Sequence, residues 1–149
     1  AIEARMMIES YAVDAAIQSV MHGTDLIEKL EKNISEDARL IQEAGDLSVY
    51  SEMAENELEV SQAFHEILVA NIGNSVILRA YHTILNHRYV YYQFNLNKKN
   101  QALSSLEEHK QILSCLRHLD AEGMRKAILH HLEIRQYDVS SAYKALLKD

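Results

Sequence analysis

His65, His109 and His131 each fall among apolar residues spaced as on the inner face of a helix. His65 stands beside Phe64 and ahead of Leu68, at the margin of that stripe; His109 lies between Leu106 and Leu113; His131 follows Met124, Ala127 and Ile128. At 100° per residue, positions three or four apart share a face. An imidazole fills such a position poorly, because burial leaves two ring nitrogens in need of partners. Each histidine alone reads as a core residue bonded to a neighbour. Converging from three helices, they offer neutral nitrogens to a divalent metal such as Zn²⁺, Ni²⁺ or Mn²⁺, with positions left for water or a ligand. The other five are worse placed: His22 sits in a turn, His82 and His87 flank a stripe, His118 is at a helix end, and His130 points about 100° away from His131.

Two arginines raise a related question. Ile77, Tyr81, Ile84, Arg88 and Tyr91 form one helical stripe, which puts Arg88 where an apolar residue belongs; Arg5 lies near the core face between Ile2 and Ile8. A buried guanidinium must find an anion. That anion is either an internal glutamate or the carboxylate of a ligand, which the arginine fork holds in two-point fashion. Tyr81, with Tyr89, Tyr91 and Tyr92, supplies further hydroxyl donors, or else an amphipathic interface strip.

Other chemistries find no support. No histidine has a glutamate three residues before it, as ferritin-like di-iron bundles require, and there is no phosphate loop, Cys-x-x-Cys pair or nucleophile elbow. The single cysteine, Cys115, rules out an internal disulfide framework and fits a reducing cytoplasm. A formal charge of −7, with the basic residues scattered among acidic ones, argues against nucleic-acid binding by this segment itself. No apolar run approaches the ~20 residues that cross a bilayer.

The elements that must position these side chains are helices. Over 149 residues there is no proline and there are only four glycines, and no stretch alternates as a strand does. The periodicity predicts helices over 2–21, from Thr24 or Asp25 to about 44, from Asp46 to about 72, from Asn74 or Ser75 toward Phe94, over 103–119, and from Asp120 to about 147, with a polar connection at 95–101. The expected architecture is an all-α antiparallel bundle of six to seven helices in one domain, 1–149. The chain opens at Ala1 inside a helical pattern, which reads as a piece of something longer.

"EARMMIESYA", "AFHEILVANIGN", "EEHKQIL" and "ILHHLE", in that order and spacing, resemble the effector-binding FCD domain. In FadR-like regulators of the GntR family this domain forms the C-terminal half. The resemblance implies an all-helical domain that binds a small organic acid and forms a homodimer. Operator DNA would be reached only through an N-terminal winged helix-turn-helix domain absent from this chain. It also implies a divalent metal, Zn²⁺ or Ni²⁺ first and Mn²⁺ after them, on His65, His109 and His131. Ser61 holds the position of the family's aspartate, and Glu57, one turn earlier, is the only carboxylate there to replace it. Arg5 matches the arginine turned toward the ligand's acid group, with Arg88 and Tyr81 as further candidates. The expected role is a cytoplasmic sensor and not an enzyme. The competing readings are a metal-dependent hydrolase or lyase, for which Glu57 would serve as base, and a purely structural dimerisation bundle.

Overall fold

The computed structural model describes residues 2–44, 52–86 and 98–147, and in them the chain is helical with no strand. The helices are α1 (Ile2–Met21), α2 (Leu26–Glu43), α3 (Glu52–Ala70), α4 (Ser75–Asn86), α5 (Lys98–Arg117) and α6 (Ala121–Leu147). None is long and apolar enough to cross a membrane.

Glycine and capping side chains set the turns. Gly23 (φ +74°) and Gly73 (φ +78°) end α1 and α3 in the left-handed region that only glycine enters without strain. The Asn74 side-chain oxygen Oδ1 then accepts the backbone N–H groups of Val76 at 3.0 Å and Ile77 at 3.2 Å, which would otherwise be left without partners at the start of α4. Replacing Asn74 with alanine should cost about 1 kcal/mol, read as a lower urea midpoint at unchanged slope. Asp120 caps α6 through Gly123 N–H at 2.9 Å. Asp25 stands before α2 without capping it, and pairs with Lys29 instead.

One boundary departs from expectation. α5 begins at Lys98, not at 103, so part of the stretch read as a polar connection is helix. Its first buried residue is Ala102; the polar turn before it carries no apolar stripe for periodicity to detect. The continuation of the fourth helix toward Phe94, and the start of the third near Asp46, lie outside the described residues.

The main core joins Val13, Ala16 and Ile17 of α1 with Leu30 and Ile34 of α2, Phe64 and Leu68 of α3, Leu113 and Leu116 of α5, and Met124, Ile128 and Leu132 of α6. α1 packs on α6, α3 and α4, while α5 lies between α2 and α6. A smaller cluster of Val69, Tyr81 and Leu85 fastens α4 to the bundle. This arrangement aims one face each of α1, α3, α5 and α6 at a common interior point, and there the core turns polar.

Candidate metal centre

His65 from α3, His109 from α5 and His131 from α6 meet at that point, each at most 2% exposed. Their Nε2 atoms form a triangle with sides of 3.0, 3.1 and 3.3 Å. Each ring occupies the inward stripe of its helix, so ordinary core packing delivers all three. The His109 ring also stacks on Phe64, with centroids 4.2 Å apart and planes 7° from parallel.

Behind the rings stand two carboxylates. Glu9, fully buried on α1, contacts Nδ1 of His65 with Oε1, while its Oε2 accepts from Arg5 Nε and from the Tyr81 hydroxyl, both at 2.9 Å. Arg5 donates a second time, from Nη2 to the Tyr81 oxygen at 3.1 Å. Its Nη1 is buried with no hydrogen-bond partner. On the other side Glu108 Oε1 lies 2.6 Å from Nδ1 of His131, and Arg135 reaches Glu108 Oε2 at 3.2 Å and the Gln101 carbonyl at 3.0 Å.

The charges follow from these contacts. Burial alone would raise the Glu9 carboxyl, but Arg5, then His65 and Tyr81, outweigh it and hold the group ionised well below the usual carboxylate range. Burial, with His65 next to it, keeps His109 neutral far below the ordinary histidine range. Burial and then Glu9 push the Tyr81 phenol well up, so it keeps its proton and donates it.

Rings that give Nδ1–H to Glu9 and to Glu108 must present bare Nε2 lone pairs to one another, 3.1 Å apart. A proton on His109 Nε2 relieves one of those lone pairs and not both, and Nδ1 of His109 has no partner. A cation relieves all three. With metal–nitrogen bonds of 2.0–2.1 Å, nitrogens this far apart subtend about 90–110°, as in tetrahedral or facial octahedral shells. The three residues fit a divalent ion.

The expected residues are not all together. Arg5 and Tyr81 adjoin the histidines through Glu9. Arg88, with Tyr89, Tyr91 and Tyr92, lies outside the described residues. Ser61 is half-buried, and among the described residues no carboxylate joins the three nitrogens. Glu57 is no substitute. It is buried beside Asp37 of α2, where burial and then Asp37 push its carboxyl up to about 9, and it is not among the groups that meet the three nitrogens. Glu9 and Glu108 were missed, although a signal existed. Glu9 is one turn from Arg5 and one turn from buried Val13, and a charged pair at four-residue spacing on a core-facing stripe satisfies itself internally.

Residues 1–134 match the FCD domain family. This chain belongs to that family. Its fold is similar to that of the metal-free FCD domain of TM0439, a candidate transcriptional regulator. The TM-score is 0.69 at 17% identity, over 97% of this FCD chain and 91% of the other. No curated protein matches significantly. The resemblance drawn from four short motifs is thus a family membership, and the all-helical FCD fold stands with it.

Proposed function

We propose that this FCD domain is the ligand-sensing part of a transcriptional regulator, binding a small organic acid beside a divalent ion on His65, His109 and His131. The observation that carries the reading is a buried trio of imidazoles, Nε2 to Nε2, one carboxylate away from an arginine with an unused N–H. When bound, the ion supplies a Lewis-acidic pole with positions left for oxygen ligands. The protein's residues supply the rest. As metal ligands the rings would carry no charge, and the flanking Glu9 and Glu108 are each matched by an arginine. The full charge of a divalent ion would therefore stay uncompensated in a dry interior, which is costly until an exogenous anion arrives. A carboxylate answers that charge, and Arg5 Nη1 suits its far oxygen or a second acid group.

In this reading the domain senses and does not catalyse. The carboxylates nearest the site are occupied at Nδ1 atoms behind the rings, and Glu57 lies against Asp37, so among the described residues no base stands over the ligand position. Effector binding would favour one arrangement of a homodimer over another and so alter operator binding by a separate DNA-binding domain.

Isothermal titration of the Zn²⁺- and Ni²⁺-loaded protein with hydroxy-, keto- and dicarboxylic acids tests this. Heat is expected from at least one acid, with a Kd at least tenfold weaker in Arg5→Lys, whose point charge cannot hold Glu9, Tyr81 and a ligand at once. Silence from every acid in the metal-loaded protein would sink the proposal.

A further inference from the structure

We infer that Glu9 and Glu108 are positioning residues of the three-imidazole centre: each holds the Nδ1–H of one ligand ring and thereby keeps that ring's Nε2 lone pair on the shared point. The inference rests on the metal reading above and assigns work to two residues that are not themselves ligands.

Free neutral histidine populates both tautomers, and only the form protonated at Nδ1 leaves Nε2 available to a metal. At His65 and His131 that choice is already made. A carboxylate faces each Nδ1, and an ionised carboxylate can only accept. Neither carboxylate is free to turn away. Glu9 is held by Arg5 and Tyr81, and Glu108 by Arg135. Each ring is therefore fixed in tautomer and in rotation by a side chain that is itself fixed. The two devices come from helices other than the one bearing their histidine: Glu9 on α1 serves α3, and Glu108 on α5 serves α6. His109 is treated differently. Its Nδ1 has no partner, and its ring is placed by stacking on Phe64.

Glu108→Gln is the decisive variant, because Glu108 lies at the partly exposed edge of the site. Glutamine keeps the size but can present either an acceptor or a donor to Nδ1, so the tautomer is no longer dictated. Zn²⁺ affinity, measured by chelator competition, should fall 10–100-fold. In metal-free protein, long-range ¹⁵N–¹H NMR should show His131 passing from the Nδ1–H form to a mixture. Glu107→Gln, one residue away and exposed beside Lys110, should leave both readouts unchanged. Glu9→Gln should act likewise at His65; if loss of the Arg5 and Tyr81 contacts prevents its folding, Glu108→Gln still decides.

If wild-type protein binds Zn²⁺ while Glu108→Gln binds within twofold of it with the His131 tautomer unmoved, the inference is overturned and the metal reading stands. Should wild-type protein bind neither Zn²⁺ nor Ni²⁺, the metal reading is overturned and this inference with it.

Discussion

Chelator-treated protein titrated with Zn²⁺, until the free ion exceeds its Kd a thousandfold, is expected to unfold roughly 8–16 °C higher than without metal. The figure follows from linkage. An ion that binds only the folded state at that excess stabilises by about 4.1 kcal/mol, and a chain of this length gains roughly 2–4 °C per kcal/mol. Folding alone assembles the site, because its three donors are 22 to 66 residues apart in sequence and sit on separate helices. An unfolded chain offers the ion no comparable trio. His131→Ala should remove most of the metal-induced rise while leaving a cooperative transition. His109→Ala should do the same, with an added stability loss from the emptied face of Phe64. The comparison is made on the metal-induced difference, so altered stability of the metal-free variants does not confuse it. A midpoint unmoved by both Zn²⁺ and Ni²⁺ would remove the metal centre.

The second large effect concerns pH and lies away from the histidines. Burial first, and then Asp37, push the Glu57 carboxyl up to about 9; burial pushes Asp37 up to about 6, against the lowering effect of the hydrogen bond from Glu57. The folded chain therefore holds protons that the unfolded chain, with ordinary carboxyls near 4, releases. Stability must fall as pH rises wherever the native state binds more protons. The contribution of this pair is complete below about pH 4 and is lost progressively through pH 6 and toward pH 9. Glu57→Gln keeps an N–H to donate to Asp37 and removes the group that resists ionisation. At pH 8, in the presence of chelator, the variant should be more stable than wild type by on the order of 3 kcal/mol, or roughly 6–12 °C in midpoint. At pH 5 the difference should shrink or reverse. Thermal melts at the two pH values measure it. A variant less stable than wild type at both would show that Glu57 and Asp37 do not share a strained proton.

These two cases also mark how far the sequence could be read. The three buried histidines were legible because each interrupts an apolar stripe whose direction is set by aliphatic neighbours, such as Leu106 and Leu113 around His109. Periodicity needs nothing more. Glu9 and Asp37 occupy the same kind of position: Glu9 is one turn before Val13, and Asp37 falls between Ile34 and Ile41. They went unread because a carboxylate on a helix is normally solvated. What keeps them inside is a partner on a distant segment, His65 and Tyr81 for Glu9 and Glu57 for Asp37. Of the partners, only Arg5, one turn from Glu9, leaves a local trace. The start of α5 escaped for the opposite reason, since its polar first turn buries nothing that a pattern could register.

Because Glu9 uses one oxygen on His65 and the other on Arg5 and Tyr81, specificity and ion retention in the proposed sensor would not be separate dials. An engineer who reshapes the arginine corner to admit a different acid will loosen the imidazole behind it. Selections for new effectors should therefore accumulate compensating changes on α3, on the far side of that carboxylate.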